Sequence, residues 1–278
     1  MIGRREFIAG LGGAAVWPLA ARAQQQDDRV RALQMRVLRL LVESTAATIS
    51  QFIREIETLV GWTTQLPVSA GTLDQRRFDG LRLLLQVPAI AELALLDSSG
   101  KEQLHMSRLG MDVIGSGTDY SQDPKFTEAV AHRVYYGPVY FRRESDAYMT
   151  LSVAGTGRGS GVSVVEVSLL LVWNVVRLLE IGERGVCYVV DSQGRVIAHH
   201  FVSLALRNSD FSSLPQVEAA RRKVEAARRG TSTGIRTPVM LGKDINGHDV
   251  LVAYTMIWGL YWLVFAEIPV EDADSLAR

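Results

Sequence analysis

Aromatic and charged side chains gather in one short stretch of the chain, residues 118–141, where they could bind a small polar molecule. The stretch begins with turn-forming polar residues, passes through a short helical patch and ends in a strand that is rich in tyrosine. Aromatic rings supply contact area, hydroxyl groups supply hydrogen bonds, and a lysine supplies positive charge. The candidate binding residues in this stretch are Tyr120, Lys125, Phe126, Tyr136 and Tyr140.

Two strands that follow this stretch are predicted to present a polar face. Successive side chains on a strand point to opposite faces, so the strands at 147–154 and 161–169 each divide into an apolar and a polar set. We expect the polar set and the preceding stretch to form a cleft, although antiparallel sheets commonly leave one face simply solvated. The polar set contributes three further candidates, Tyr148, Thr150 and Glu166.

The charges in the predicted cleft allow two interpretations. Lys125 and Glu166 could bind a ligand that carries both a carboxylate and a donor group, or they could pair with each other and fill the cleft. Nearby, Arg142 and Arg143 stand beside Glu144. We expect this trio to be a solvated hairpin end rather than an anion-binding clamp.

Sequence motifs for catalysis are missing from the chain. It has no nucleophile elbow, no zinc-protease motif and no Walker loop before a helix, and its five histidines lack metal-binding spacing. The single cysteine, Cys187, lies in an apolar run and cannot form an internal disulfide. The 30 basic residues balance 30 acidic ones, which gives no indication of a nucleic-acid partner. We expect no enzymatic activity, no metal and no cofactor.

The first 23 residues have the features of an export signal. Arg4 and Arg5 precede a mostly uncharged segment that ends at Ala23 in a small-residue cleavage pattern. The paired arginines resemble the twin-arginine signal of bacteria. We therefore expect a periplasmic protein that is cleaved after Ala23; the alternative is an uncleaved anchor in the inner membrane that faces the periplasm.

One long amphipathic helix is predicted for residues 27–66. Apolar residues recur there at spacings of three and four, and no proline or glycine intervenes before Gly61. Such a helix could be a spine for the fold, a dimer contact, or both. A second helix is expected at 72–85, with Phe78 and Leu81 on its apolar face.

The rest of the chain alternates between strands and turns in two similar halves. The sequence Leu-Leu-Asp-Ser-Ser-Gly at 95–100 is matched by Val-Val-Asp-Ser-Gln-Gly at 189–194. An uncharged run at 250–266 is almost long enough for a transmembrane segment, but Gly259 and many β-forming residues favour two buried strands around a turn. The sequence thus predicts an α+β fold, in which a long N-terminal helix is followed by two PAS-like antiparallel-sheet modules.

These features, taken in order, resemble the double Cache domain of bacterial extracytoplasmic sensors. The resemblance covers nearly all of residues 27–272 and rests on the long helix and on the ordered series of strands and turns. The chain then divides into a signal segment (1–23), the long helix (24–66), a membrane-distal Cache module (67–169), a connecting helix (170–181) and a membrane-proximal Cache module (182–278).

The resemblance implies that a small molecule binds the distal module and that a kinase, cyclase or chemoreceptor receives the signal. At 123–126, where amino-acid-binding relatives have Arg-Pro-Trp-Tyr, this chain has Asp-Pro-Lys-Phe, which lacks the arginine that would bind a ligand carboxylate. Glu166 stands where those relatives carry an aspartate for the α-amino group. We therefore expect a small polar or anionic ligand other than a standard amino acid.

The function expected from the sequence is small-molecule sensing in the periplasm. The protein would act in signal transduction through a membrane-bound partner and could form a homodimer through the helix at 27–66. Two alternatives remain at this point: a soluble solute-binding receptor for transport, which would close on its ligand, and a ligand-free structural or dimerisation module.

Overall fold

The computed structural model describes residues 13–64, 72–142, 146–157, 159–230 and 237–271, with side chains described from residue 29 onward. The paired arginines of the export signal lie outside the described residues. The helices are α1 (Gly13–Thr63), α2 (Leu73–Gln86), α3 (Pro124–His132), α4 (Leu170–Arg177), α5 (Val202–Leu206) and α6 (Pro215–Arg228). The strands are β1 (Ile90–Leu96), β2 (Glu102–Ser107), β3 (Val113–Ile114), β4 (Val134–Arg142), β5 (Asp146–Ala154), β6 (Val162–Ser168), β7 (Val186–Val190), β8 (Val196–His199), β9 (Val239–Lys243), β10 (Asp249–Ile257) and β11 (Trp262–Pro269).

Helix α1 is the longest element and carries one buried face. Its inward residues recur every three or four positions, as expected for a helix with a single apolar side. The following inward side chains are at most 2% exposed: Leu38, Val42, Ile49, Ile53, Ile56 and Val60. The predicted amphipathic helix is therefore confirmed, although α1 begins at Gly13, within the segment assigned to the export signal, and ends at Thr63.

The first module is a six-stranded antiparallel sheet in the order β3-β2-β1-β6-β5-β4. One face of this sheet packs against α1 and α2, and α3 covers part of the opposite face. The tyrosine-rich strand predicted at the end of the stretch 118–141 is β4. The strands predicted at 147–154 and 161–169 agree with β5 and β6 to within one residue at each end.

The second module is a five-stranded antiparallel sheet in the order β8-β7-β11-β10-β9. One face packs against α1, and α5 and α6 cover the other. The apolar run at 250–266 forms β10 and β11 with a turn that contains Gly259, as the sequence predicts. Among the described residues, no helix combines the length and the apolar character that crossing a membrane requires.

The repeated turn has the same geometry in both modules. Asp97 Oδ1 accepts hydrogen bonds from two backbone N–H groups later in its turn, at 2.8 and 3.1 Å. Asp191 Oδ1 accepts the equivalent pair at 2.8 and 3.0 Å. Gly100 and Gly194 close these turns with φ of 84° and 91°, a region that favours glycine. The internal repeat is therefore present in the backbone as well as in the sequence.

The two modules share one hydrophobic core. Residues of α1, α4 and both sheets contribute to it. Trp173 of α4 joins the modules, because its ring lies 6.4 Å from that of Phe141 on β4 and its indole N–H donates to the carbonyl of Ile197 on β8 at 2.8 Å. Separating the modules would therefore expose apolar surface that is now buried.

The helices differ from the sequence prediction in two respects. Phe78 and Leu81 of α2 do not face the core but are 63% and 40% exposed. The helix instead approaches the sheet at Gly80, where a Cβ would lie only 2.6 Å from the sulfur of Met106, so the missing side chain decides which face is buried. Helix α6 was not predicted, although Pro215 in its first turn is a typical start signal.

Candidate functional site

A β-bulge in β4 decides which tyrosines of the opening stretch share a face. Tyr136 pairs with Leu151 of β5, and Val139 pairs with Met149, so β4 has one residue more than β5 between these pairs. The extra residue reverses the alternation and places Tyr136 and Tyr140 on opposite faces of the sheet. The hydroxyl of Tyr136 donates to Glu57 of α1 at 2.6 Å, on the core side.

The prediction that Tyr136 lines the cleft is therefore wrong. Strict alternation along the strand would have put it beside Tyr140. The available signal for the bulge was Gly137 followed by Pro138, since glycine and proline inside a strand commonly mark one. Tyr135 takes its place instead and packs with the lid residues described next. Burial, followed by the hydrogen bond to Glu57, raises the pKa of Tyr136 above its ordinary value of 10.

Tyr120 and Phe126 form an apolar lid over one half of the opposite face. They pack with Ala129 of α3 against Leu96 and Val164 of the sheet. Helix α3 starts at this point because Pro124 occupies its first turn and the side chain of Asp123 caps the N-terminus. We call this half of the face the apolar half.

Lys125 remains on the lid. Its ammonium group lies 3.8 Å from the ring centre of Tyr120 and 3.9 Å from Asp123 Oδ2. A cation in this position is held by the aromatic face and by the adjacent carboxylate. The proposed salt bridge between Lys125 and Glu166 is absent from the contacts of the described residues, because each group has other partners.

Glu166 lies at the centre of the other half of the face, which we call the polar half. The hydroxyl of Thr150 on β5 donates to its two carboxylate oxygens at 3.0 and 3.1 Å. The hydroxyl of Tyr140 on β4 also donates to it. Burial, together with the hydrogen bond to Glu166, raises the pKa of Tyr140, so this hydroxyl keeps its proton. The structure thus brings Tyr140, Thr150 and Glu166 together as predicted.

Arg142 extends across the polar half from the end of β4. Its guanidinium donates to Glu92 of β1 at 2.8 Å and to the Tyr140 hydroxyl at 3.1 Å. The same group lies 4.8 Å from the ring centre of Tyr148, and the rings of Tyr148 and Tyr140 stack at 6.2 Å. The expectation that Arg142 belongs to a solvated hairpin end is therefore wrong; Arg143 and Glu144 lie outside the described residues.

Sequence reasoning missed Glu92 and Glu102 as members of this face. Glu102 is only 5% exposed and accepts a hydrogen bond from Ser116 at 2.6 Å. His105 lies between the two carboxylates, 3.3 Å from Glu102 and 3.8 Å from Glu92. A carboxylate inside the apolar run of β1 was the available signal for Glu92, since an unpaired charge there would be costly. With Glu166, the face carries three carboxylates.

The second module has a carboxylate at the position equivalent to Glu166. Glu92 precedes the turn at Asp97 by the same number of residues as Val186 precedes the turn at Asp191, so the two positions correspond. Glu166 is the cross-strand neighbour of Glu92, and Glu267 is the cross-strand neighbour of Val186. Glu267 is 5% exposed, and the hydroxyl of Tyr188 lies 3.3 Å from it.

Side chains close this second site. Tyr188 is fully buried and stacks on Phe265 at 4.9 Å, while Gln216 of α6 donates to the Lys243 carbonyl at 2.7 Å and lies 3.5 Å from the Tyr188 hydroxyl. Only the face in the first module therefore keeps its central carboxylate partly exposed.

The family model described as a Cache domain, of the double Cache type, matches residues 22–277. The chain belongs to the Cache domain family. The resemblance of the sequence to the double Cache domain is therefore confirmed. No curated protein sequence matches it.

Solved structures with the same fold include sensory domains of several receptors. The isoleucine-bound sensory domain of the Campylobacter jejuni chemoreceptor Tlp3 is 16% identical, has a TM-score of 0.67 and covers 90% of this chain and 98% of that one. The GABA-bound domain of the Pseudomonas aeruginosa amino acid chemoreceptor PctC is 16% identical, with a TM-score of 0.62 and coverage of 84% and 99%. The extracellular domain of mmHK1S-Z2, described as a histidine kinase, is 14% identical, with a TM-score of 0.68 and coverage of 88% and 98%.

We predict that Glu267 makes the protein less stable as the pH rises. Burial raises the pKa of Glu267 from 4.5 to about 8. The folded state therefore binds more protons than the unfolded state between these values, so the stabilisation is complete below pH 4.5 and is lost as the pH approaches 8. The slope in this window should be at most about 1.4 kcal/mol per pH unit.

The measurement is urea unfolding of the wild type and of Glu267→Gln at steps from about pH 6.5 to 8.5. Burial lowers the folded-state pKa of His199 to about 4, so this residue also contributes to the slope near pH 6.5, but its contribution is the same in both proteins and cancels in the comparison. The free energy of unfolding of the variant should change less with pH than that of the wild type. Equal slopes would show that Glu267 is ionised throughout.

Proposed function

We propose that this Cache domain senses a small polar molecule at the polar half of the first module, which we assign as the membrane-distal module. The observation that carries the proposal is the difference between the two equivalent faces. Glu166 is partly exposed among aromatic and hydrogen-bonding groups, whereas Glu267 is sealed by Tyr188 and Gln216. Aromatic side chains combined with a few well-placed polar groups are the usual lining of a small-molecule site.

The charges of the polar half favour a ligand with a donor group or a positive charge. Three carboxylates lie on the face, and the lid cation Lys125 is already engaged by Asp123 and Tyr120. The ligands of the structural neighbours, isoleucine in Tlp3 and GABA in PctC, each carry an amine and a carboxylate. The sensed molecule would share the amine but need not share the carboxylate, since position 123 is not an arginine.

The shared core supports a sensor over a transport receptor. A solute-binding receptor closes two lobes around its ligand, and such a hinge needs lobes that move apart freely. Here α1 and α4 pack against both sheets, and Trp173 bridges them. Ligand binding would therefore change the first module locally and reach a partner through the helices.

We predict that ligands stabilise the protein through the polar half. A thermal-shift screen of amines, amino acids, carboxylates and purines should give hits, and a ligand at 100 times its Kd adds about 2.7 kcal/mol. Glu166→Gln and Tyr148→Ala should each weaken a hit at least about tenfold, a loss of about 1.4 kcal/mol that matches one charge-assisted hydrogen bond or one aromatic contact.

Tyr136→Phe is the matched control, because Tyr136 lies on the same strand but faces the core. It should leave the affinity unchanged. Lys125→Ala tests whether the lid cation contributes. A hit whose stabilisation survives both Glu166→Gln and Tyr148→Ala would locate the site elsewhere and contradict the proposal.

We also propose that the domain forms a homodimer through α1 and signals through a membrane-bound partner. Leu33, Val37 and Leu40 are 61%, 46% and 56% exposed and form a stripe on the side of α1 that faces away from the core. Exposed apolar stripes of this kind commonly mark protein contacts.

We predict that Leu33→Glu with Leu40→Glu converts the dimer to a monomer in sedimentation experiments at micromolar concentration. Like charges facing each other across a parallel helix pair would repel. Leu241→Glu is the control, because Leu241 is similarly exposed at 67% but lies on β9. A wild-type protein that sediments as a monomer at every concentration would refute the dimer.

We further propose export through a twin-arginine signal to the periplasm, with cleavage after Ala23. We predict that mass spectrometry of the exported protein finds Gln24 as its first residue, and that Arg4→Lys with Arg5→Lys retains the protein in the cytoplasm. An exported protein that still carries residues 1–23 would instead indicate a membrane anchor.

A further inference from the structure

The polar half contains a site for an organic cation that one of the chain's own side chains occupies. Glu92 supplies a carboxylate 2.8 Å from a guanidinium nitrogen of Arg142, the Tyr140 hydroxyl accepts from a second nitrogen at 3.1 Å, and the ring of Tyr148 lies 4.8 Å from the guanidinium carbon. A carboxylate combined with an aromatic face is the usual environment in which proteins recognise ammonium and guanidinium groups.

The reach of Arg142 is unusual for a structural ion pair. Arg142 lies on β4 at one edge of the sheet, and its partner Glu92 lies on β1, with β5 and β6 between them. Three strand spacings amount to about 14 Å, so the two side chains must extend toward each other over the face. The guanidinium thus lies above the middle of the candidate site rather than beside its own strand.

Two neighbouring carboxylates of the sheet favour a cation beside them. Glu92 and Glu166 are direct cross-strand neighbours on β1 and β6, and like charges in this position repel. Hydroxyl groups of Thr150 and Tyr140 satisfy Glu166, but they bring no positive charge. Arg142 is the cation that the contacts of the described residues place at Glu92 and Tyr140, and the ring of His105 lies at the edge of this group.

We propose that Arg142 is a tethered surrogate for the ligand, and that the sensed molecule carries a guanidinium or ammonium group which takes its place between Glu92 and Tyr148. This inference rests on the proposed function for the location of the site and goes beyond it by naming the ligand class. The side chain of Arg142 is 35% exposed, so the pair is open to solvent on one side, and a ligand cation that takes over its contacts would keep Glu92 paired.

Because Arg142 is covalently attached to the strand, it competes with any ligand cation for the same contacts. A side chain fixed to the strand competes at an effective concentration in the millimolar range, so a simple cation binds the wild type poorly. A ligand that makes additional contacts, for example with Glu166, can displace it. The occupied and displaced positions of Arg142 then provide two states of the site at the end of β4.

Chemical complementation tests this arrangement. Arg142→Ala removes the part of the side chain that ethylguanidinium reproduces. Ethylguanidinium at millimolar concentration should therefore raise the Tm of Arg142→Ala, with half-saturation at a concentration about tenfold lower than in the wild type. Ethylurea, which has a similar shape but no charge, should have no effect. If Arg142→Ala does not fold, Arg142→Gln with methylguanidinium serves in the same assay, since the shorter side chain leaves room for the probe.

Two controls separate this site from general effects of the probe. Arg77→Ala breaks another arginine–carboxylate pair of the first module, which joins Arg77 to Asp112 at 2.7 Å, and should show no complementation. Glu92→Gln combined with Arg142→Ala removes the carboxylate and should abolish the response. Equal responses in Arg142→Ala and Arg77→Ala would overturn the proposal.

The inference and the proposed function fail in different ways. A screened ligand whose binding requires Glu166 but is lost in Arg142→Ala would show that Arg142 binds a ligand anion; the proposed function would stand and the surrogate would be refuted. An amine that binds Arg142→Ala more tightly than the wild type would support the surrogate. A third outcome is that ethylguanidinium complements Arg142→Ala but no metabolite in the screen requires Glu166. That result would support the cation site and contradict the proposed function.

Discussion

The buried face of α1 is the constraint on which the rest of the structure depends. Side chains from Leu38 to Val60 pack against one face of the sheet in each module, so each sheet depends on the helix to cover that face. Burial of each such side chain contributes about 1.5–3 kcal/mol. The modules are therefore held at a fixed spacing by one continuous apolar surface, and the opposite faces of their sheets are left for other tasks.

The two modules use those remaining faces differently, although their backbones are related. In the second module, α6 and the ring of Tyr188 fill the space above Glu267 and exclude water. In the first, α3 covers the apolar half and leaves Glu166 beside polar partners. The two related sheets thus differ on this face, because one is closed by packed side chains and the other keeps a partly exposed carboxylate.

Much of the fold could be predicted from the sequence, because the helices, strands and turns concerned depend on local sequence patterns. The apolar period of α1, the turns at Asp97 and Asp191 and the alternation in β5 all depend on neighbours in the chain. The site was predicted less completely, because its geometry depends on residues that are distant in sequence. The reach of Arg142 to β1 depends on the pairing of four strands, which no local pattern encodes. The bulge that removes Tyr136 lies at Gly137 and Pro138, a local signal that strict alternation ignores.

The bulge in β4 has a consequence for packing. It makes one strand present Tyr140 to the site and Tyr136 to the spine helix, where Tyr136 donates its hydroxyl hydrogen to Glu57. One strand therefore contacts two environments: Tyr140 lies with the polar groups of the first sheet, and Tyr136 lies against the helix that spans both modules. β4 is at once a wall of the candidate site and part of the surface on which α1 packs.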